Sequence, residues 1–169
     1  ENTMVDPTEF TAVTNGFQHW QALPTASITF AQISNAAAGG GGYNNDGFNT
    51  MSFEDPDGDL GTGVLGACLP IYGGQTTITN GTTFRRMLDA DIVFNNNVLF
   101  CTNAEAAGTS CSGEFDLEGV ATHEIGHLLG LDHPDVYEAT MYWAIGPCDE
   151  SKASLATSDI NGVTFIYPP

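Results

Sequence analysis

Residues 123–133 read HEIGHLLGLDH, the most specific pattern in the chain. His123 and His127 are four residues apart, so on a helix they share one face and can direct two imidazoles at one ion. Glu124 lies about 100° around the helix axis from His123. From there its carboxylate can reach a water on that ion without being a ligand. The spacing therefore predicts a helix that carries two metal ligands and one acid–base group.

A third histidine follows the end of this predicted helix. Gly130 can adopt the left-handed conformation that ends a helix, and the reversed chain then returns His133 towards the first two histidines. Three protein ligands and a water are typical of a catalytic zinc site, whereas structural zinc usually has four protein ligands. The alternative is an amphipathic helix with chance histidines, but five fixed positions in eleven residues favour the metal site. His19, the fourth histidine, is assigned no role.

Length and charge limit the remaining possibilities. The 169 residues suit a single domain over positions 1–169, with 21 acidic and 3 basic side chains and a net charge of −18. Such a surface repels phosphate, which argues against nucleic-acid binding and against docking on anionic membranes. No membrane-spanning run and no signal peptide is recognised, so any targeting segment is expected to have been removed or never to have existed. The many Gly, Asn and Thr residues and the scarcity of lysine indicate an exported protein. The charge either keeps the protein soluble or steers cationic peptides, and solubility is the favoured interpretation.

The periodicity of apolar residues predicts a mixed α/β fold with one sheet. Asp6 and Pro7 begin a helix that Pro24 stops, and Asp116 caps the helix that bears the histidines and ends at Gly130. Strands are predicted at 27–33, 64–71 and 89–94, a long loop at 36–63, a turn-rich excursion at 73–83, and a last helix at 155–167.

The cysteines number four, with no C-x-x-C pair. Two disulfides and an oxidising compartment are expected. Cys101 and Cys111 bracket a short polar stretch, which favours their pairing and leaves Cys68 for Cys148. Two other connectivities are possible, and four buried thiols are the alternative.

The eleven-residue pattern matches H-E-x-x-H-x-x-G-x-x-H of the metzincin zinc proteases. Within that clan the chain most resembles the matrixin-type catalytic domain. The flanks VATHEIGHLLGLDHP (120–134), TGVLGACLP (62–70) and SDINGVTFIY (158–167) resemble the matrixin active-site helix, substrate-binding edge strand and C-terminal helix. Met141 in EATMYW stands where the family has its Met-turn, beneath the imidazoles, with Asp159 tied under that turn. The resemblance implies a twisted mixed sheet, an active-site helix, a C-terminal helix and a cleft between an upper and a lower subdomain.

The same resemblance implies a secreted zinc endopeptidase, expected as a monomer, that cleaves extended protein or peptide substrates. One zinc would be held by the three histidines, with Glu124 taking the proton of the zinc-bound water. The main specificity pocket would have residues 142–145 as its wall, and an apolar preference is expected on the leaving-group side. The alternative is a zinc-containing binding or inhibitory protein that hydrolyses nothing. The implied substrate-binding residues are Val64, Leu65 and Gly66 on the edge strand and Tyr142, Trp143 and Ile145 on the opposite wall.

Departures from the family pattern affect other metals. Ala67 and Val93 stand where vertebrate matrixins bind a second zinc with histidines, so no second zinc is expected. Calcium at Asp55, Asp57 and Asp59 is possible, and a solvated acidic loop is the alternative.

Two smaller features concern the branch of the clan and a glycosylation site. Pro134 resembles the serralysin branch, so another metzincin branch is an alternative, although Trp143 fills the slot of the zinc-reaching tyrosine in that branch. Asn80 begins an N-x-T glycosylation sequon.

Overall fold

The computed structural model describes residues 7–31, 43–53, 55, 58, 60–102 and 112–169. Within these residues three α-helices and five strands form a mixed α/β fold, which confirms the predicted fold class. In chain order the elements are α1 (Pro7–Gln21), β1 (Met51–Ser52), β2 (Gly66–Thr79), β3 (Thr82–Phe94), β4 (Phe100–Cys101), β5 (Phe115–Asp116), α2 (Leu117–Leu128), a 3₁₀ turn (Ser151–Ala153) and α3 (Thr157–Ile166).

Helix α1 packs across the back of α2. It begins at Pro7, whose fixed φ and missing N–H suit the first helical position; the predicted cap Asp6 lies outside the described residues. At Gly16 the two helices approach closely, because a Cβ there would lie 3.2 Å from the backbone nitrogen of Thr122. The buried Trp20 donates its indole N–H to the carbonyl oxygen of Thr122 at 2.9 Å. These contacts fix the helix that carries the predicted ligands.

Strands β2 and β3 form a long antiparallel hairpin, with Gly66 opposite Phe94 and an irregularity in pairing after Ile71. The predicted turn-rich excursion over 73–83 is therefore wrong, since most of it is strand. Asn80 and Gly81 make the turn, with φ of 49° and 80°. Positive φ at both central residues is the type I′ geometry that matches the twist of two paired strands. The Asn-Gly pair was the signal for this hairpin.

A short strand lies inside the predicted long loop. In β1, Met51 and Ser52 pair in parallel with Ile92 and Val93 of β3. The chain before β1 is held by Asp91, whose Oδ1 accepts hydrogen bonds from the Thr50 N–H and hydroxyl at 2.9 and 2.7 Å. A buried carboxylate thus supplies the partners that a longer strand would have found in the sheet.

The predicted strand at 27–33 is wrong for its described part, because residues 27–31 are irregular and the last two residues lie outside the description. Their backbone groups find other partners. The Ser27 N–H donates to the carbonyl oxygen of Tyr167 at 2.9 Å, and the Phe30 N–H donates to Oε1 of Gln21 at 2.8 Å. Ile28 and Phe30 still pack against the core, which explains the apolar alternation.

The core lies between the sheet, α2 and the two other helices. The last six residues of β3 are buried, whereas its first seven are mostly exposed. In the described part of the chain no helix combines the length and apolar character needed to cross a membrane. The largest fully buried side chains include Trp20, Ile92, Phe94, Leu117, Ile125, Met141 and Val163.

Candidate active site

Helix α2 and the turn after it bring His123, His127 and His133 together. The Nε2 atoms of His123 and His127 are 3.2 Å apart, and each lies 3.1 Å from Nε2 of His133. Nitrogen ligands about 2.0–2.1 Å from a tetrahedral zinc ion lie roughly 3.3–3.4 Å from one another. The three nitrogens are therefore spaced for one such ion. Among the described residues they form the one group of three or more such side chains able to hold a metal.

Two backbone carbonyls orient the imidazoles. Nδ1 of His123 donates to the carbonyl oxygen of Thr140 at 2.8 Å, and Nδ1 of His127 donates to that of Leu131 at 2.9 Å. Because a carbonyl only accepts, Nδ1 carries the proton and Nε2 presents a lone pair. Burial lowers the pKa of His123 to about 4 and also lowers that of His127. Neutral rings with converging lone pairs are the donor set that a zinc ion needs.

Both ends of α2 follow the sequence prediction. Asp116 caps the start, its Oδ2 accepting the Gly119 N–H at 2.9 Å. At the other end Gly130 adopts φ of 92°, and the Leu131 N–H donates to the carbonyl oxygen of Gly126 at 3.0 Å. This left-handed termination reverses the chain. The third histidine is thereby returned to the first two.

Glu124 lies on the cleft side of α2 and lines the same cavity as the histidines. Its side chain is 5% exposed, and it accepts a hydrogen bond from the backbone N–H of Cys68 on β2. Burial raises the pKa of Glu124 to about 8. Gly66 leaves room for the carboxylate, since a Cβ at that position would lie 3.3 Å from Oε1. The acid–base group therefore contacts the edge strand directly.

Met141 packs against the helix that carries the ligands. A Cβ at Gly126 would lie 2.1 Å from the Met141 sulfur, so only glycine fits there without displacing it. Asp159 of α3 fixes this turn, its carboxylate accepting the N–H groups of Thr140 and Met141 at 2.8 and 3.1 Å. Thr140 in turn accepts the hydrogen bond of His123. A continuous chain of hydrogen bonds thus joins α3 to the histidine cluster.

A cavity of about 880 Å³ opens beside the imidazoles. The residues before and at the start of β2 form one side, and the segment after Met141 forms another. Trp143 is 67% exposed, whereas Tyr142 is half-buried. The cavity brings together all six residues predicted to bind substrate, namely Val64, Leu65, Gly66, Tyr142, Trp143 and Ile145.

Comparison with known proteins agrees with this geometry. A family model described as matrixin matches residues 1–168. The chain belongs to the matrixin family. It is similar to Metalloendoproteinase 1 of Glycine max, with 39% identity over 74 residues, which make up 44% of this chain and 24% of that protein. Metalloendoproteinase 5-MMP of Arabidopsis thaliana shares 54% over 52 residues, 31% of this chain and 14% of the relative. Human neutrophil collagenase shares 40% over 65 residues, 38% and 14% respectively.

The matrixin resemblance predicted from the sequence is thus confirmed. In these matches the chain spans between 14% and 24% of the length of the three relatives.

The calcium residues predicted from the matrixin pattern are only partly described. Asp57 and Asp59 lie outside the described residues. Asp55 is described, and its Oδ2 accepts the backbone N–H of Leu60 at 3.1 Å. Calcium binding in this loop stays a prediction.

Sequence reasoning missed two sets of residues, one outside the cavity and one that lines it. Asp89 and Asp91 are buried in β3 and accept backbone N–H groups of the loop before β1; Oδ2 of Asp89 bonds Asp46 and Gly47 at 2.9 and 2.8 Å. Acidic residues within an otherwise buried strand were the available signal. Lys152, the only lysine of the chain, lines the cavity. The signal in the sequence was that the chain has a single lysine.

The predicted disulfide pairing is wrong. Cys68 is a half-buried thiol, and its pKa is raised to about 12 by burial and by the charge of Glu124. Its strand pairs with β3 and its side chain packs against the core, whereas Cys148 is disulfide-bonded and therefore has another partner. Cys101 is a buried thiol as well, which contradicts its pairing with Cys111. Cys111 itself lies outside the described residues.

Proposed function

We propose that this chain is the catalytic domain of a zinc-dependent endopeptidase that hydrolyses peptide bonds in extended protein substrates. The observation that carries the proposal is the convergence of three imidazole nitrogens at 3.1–3.2 Å beside a buried carboxylate in a cavity. Membership of the matrixin family and similarity to proteins named metalloendoproteinases support the same activity.

The residues of the site fit a zinc ion. Three histidines, His123, His127 and His133, would hold it through their Nε2 atoms. In His123 and His127 the Nδ1 proton is donated to a backbone carbonyl, which leaves Nε2 as the atom able to bind the ion. When bound, the ion acts as a Lewis acid that makes water acidic enough to ionise near pH ~7. Neutral nitrogen ligands leave the positive charge of the ion undiminished, which favours that ionisation.

Glu124 moves the proton. Its carboxylate takes a proton from the attacking water and returns it to the departing amine. Burial raises its pKa, whereas a cation held at the imidazoles acts in the opposite direction, so the group can exist in both protonation states near neutral pH. The hydrogen bond from the Cys68 N–H keeps the carboxylate aimed at the cleft.

Substrate binds along β2. In the described part of the chain this strand pairs with β3 on one edge only, so its other edge is open to an extended peptide. Main-chain hydrogen bonds from Val64, Leu65 and Gly66 hold the peptide, and side-chain pockets select it. Tyr142, Trp143 and Ile145 form the opposite wall.

The setting of the enzyme is inferred from charge and cysteines. A net charge of −18 suits an exported, soluble, monomeric domain over residues 1–169 that binds neither nucleic acid nor membranes.

A single disulfide between Cys111 and Cys148 is part of this proposal. With Cys68 and Cys101 as thiols, that pair is the one left in the sequence. The Cys148 N–H donates to the carbonyl oxygen of Glu114 at 2.9 Å, and three residues of chain, about 10–11 Å when extended, reach back to Cys111. Peptide mapping without reduction should recover this pair and no other.

One experiment tests the activity. The purified protein should bind one zinc per chain by mass spectrometry and cleave casein, with loss of cleavage on chelation and recovery with zinc. Glu124→Ala should retain the zinc and lose cleavage, whereas His133→Ala should lose the zinc. His19→Gln is the matched control, since His19 is paired with Glu118 outside the site and should leave both readouts unchanged. Bound zinc without cleavage of a broad peptide library would instead establish the binding or inhibitory protein.

A further inference from the structure

Lys152 is a positively charged residue that lines the active-site cavity. It is one of three basic residues in a chain with 21 acidic ones. The other two, Arg85 and Arg86, are exposed on β3, whereas Lys152 is 3% exposed and lines the cavity together with the histidines. Burial of an ammonium is unfavourable unless the protein or a ligand compensates its charge.

The direct contacts of the ammonium are with neutral groups. It donates to the carbonyl oxygens of Tyr137 and Ala139, the second at 2.9 Å. It also lies 4.9 Å from the ring centroid of Tyr137 and 5.4 Å from that of Tyr142. Carbonyls and ring faces supply partial negative charge. Among the described residues no carboxylate is found within 4.0 Å of the ammonium.

The carboxylates of Asp116 and Asp149 are near Lys152, but neither pairs directly with its ammonium. Hydrogen bonds with Ser151 chiefly lower the pKa of Asp149, and the charge of Lys152 adds to that shift from a longer distance. Gly119 separates Asp116 from Lys152: a Cβ there would lie 2.9 Å from Oδ2 of Asp116 and 3.3 Å from Cβ of Lys152. The Asp116 carboxylate is engaged by the Gly119 N–H. Burial raises its pKa to about 6, with a contribution from Glu118 and Glu150, whereas a neighbouring ammonium would lower it. No carboxylate therefore contacts the ammonium, and an anionic ligand group could still pair with it directly.

The walls around Lys152 are apolar. Val120 of α2, Tyr142 and Ile145 line the same cavity, and the last two belong to the wall that the sequence assigned to the leaving-group side. A buried cation without an ionised partner is costly, and an anionic group that enters the pocket removes that cost. Glutamate fits both features, because its methylene groups can pack on the apolar walls while its carboxylate meets the ammonium.

We propose that Lys152 is a specificity-determining residue that accepts the side-chain carboxylate of a glutamate on the leaving-group side of the cleaved bond. This inference rests on the proposed function and replaces the apolar preference expected from the sequence. The overall negative charge repels acidic peptides at long range, so the selection occurs at short range within the pocket and should strengthen as salt screens that repulsion.

Matched peptides test the proposal. Four peptides, blocked at both ends, differ only in the residue after the cleaved bond, which is Glu, Gln, Leu or Lys. The zinc-loaded protein should cleave the Glu peptide with kcat/KM about tenfold or more above the Gln peptide, and the Lys peptide most slowly. Equal or faster cleavage of the Gln or Leu peptide would overturn the proposal. A Gln peptide with a free carboxylate next to that residue tests a chain terminus as the source, and preference for it over Glu would also overturn the side-chain assignment.

Variants assign the effect to Lys152. Lys152→Met should reduce the Glu/Gln ratio to about one, and Lys152→Arg should restore at least part of it. Arg86→Met removes one positive charge outside the cavity and should leave the ratio unchanged. If Lys152→Met does not fold, Lys152→Arg and the ratio for the unmodified protein still decide the question. A ratio that survives in folded Lys152→Met would overturn the assignment.

A binding readout separates this inference from the proposed activity. Zinc-loaded Glu124→Ala protein should bind the uncleaved Glu peptide about tenfold more tightly than the Gln peptide, measured by calorimetry. Tighter binding of the Glu peptide with no cleavage by the unmodified protein would refute the hydrolase and keep the carboxylate pocket. Cleavage with equal affinities would refute the pocket and keep the hydrolase.

Discussion

Two buried carboxylates adjoin the histidine cluster, and their surroundings differ. Asp159, on α3, accepts three backbone N–H groups at 2.8, 3.1 and 2.8 Å. Glu124, on α2, has one backbone donor, the N–H of Cys68, and burial raises its pKa to about 8. Both side chains are almost fully enclosed, at 2% and 5% exposure.

The difference separates a structural role from a chemical one. Three backbone donors hold the Asp159 carboxylate in place, so that it ties α3 to the Met141 turn. A carboxylate with few donors in a dry environment exchanges its proton near neutral pH, which suits an acid–base group. Changes at Asp159 should therefore alter mainly the fold, and changes at Glu124 mainly the reaction.

The largest effect is expected from Glu124→Gln. The amide keeps the shape but cannot take a proton, so kcat should fall by about 10²–10⁴. The free energy of unfolding should stay unchanged or increase, because a desolvated carboxylate is removed. Steady-state kinetics and urea denaturation of the zinc-loaded protein measure the two effects. Activity within tenfold of the unmodified protein would contradict the assigned role.

Asp159→Ala should have the opposite profile. Three buried N–H groups lose their acceptor, and the unfolding free energy should fall by about 3–5 kcal/mol in urea denaturation. Zinc affinity should weaken, since the turn that accepts the His123 hydrogen bond loosens. Asp135→Ala, at an exposed aspartate, is the control and should change stability by less than about 0.5 kcal/mol. A loss of activity without a loss of stability at Asp159 would erase the distinction between the two carboxylates.

Much of the histidine cluster was predictable because its determinants are local. The spacing of His123 and His127, the cap Asp116 and the terminator Gly130 act within one helix and its ends, so the sequence reports them directly. Glu124 was placed by the same periodicity. Its perturbed pKa was not predictable, because it depends on burial beside Gly66 and Cys68 of β2, which are more than fifty residues away in the chain.

The parts that sequence reasoning missed depend on distant contacts. Strand 27–33 had the right alternation, but Ser27 and Phe30 found hydrogen-bond partners outside any sheet. The role of Asp91 in anchoring Thr50 requires knowing that two segments forty residues apart are neighbours. Disulfide pairing failed for the same reason, since Cys68 is held against the core by strand pairing.

Gly126→Ala tests how firmly the Met141 turn is held, because Gly126 of α2 packs directly against Met141. The new methyl would meet the Met141 sulfur at 2.1 Å and Cζ2 of Trp20 at 3.0 Å. Overpacking of this kind should cost about 2 kcal/mol of unfolding free energy. Gly146→Ala is the matched control, since no atom lies within 4 Å of the added Cβ. Equal denaturation midpoints for the two variants would show that the turn yields easily and that Asp159 holds it less firmly than its hydrogen bonds indicate.

Asp116 is intermediate between the two carboxylates and gives the smallest expected effect. Its hydrogen bond from the Gly119 N–H caps α2. Burial, with a smaller contribution from the charges of Glu118 and Glu150, raises its pKa from 3.8 to about 6, although backbone hydrogen bonds from Gly119 and Glu118 act in the opposite direction. The folded protein therefore holds this proton more tightly than the unfolded chain, so the contribution of Asp116 to stability is present below pH 4 and is lost as pH rises towards 6.

Asp116→Asn keeps a good helix cap and removes the titration. The variant should be more stable than the unmodified protein by about 1 kcal/mol at pH 7.5 and should lose that advantage by pH 4. Urea denaturation at several pH values measures the difference, and subtracting the two curves cancels the titration of the other acidic groups. A difference that does not change with pH would mean that the cap bond compensates the burial of Asp116. In that case Asp116 would resemble Asp159, whose hydrogen bonds offset its burial, rather than Glu124.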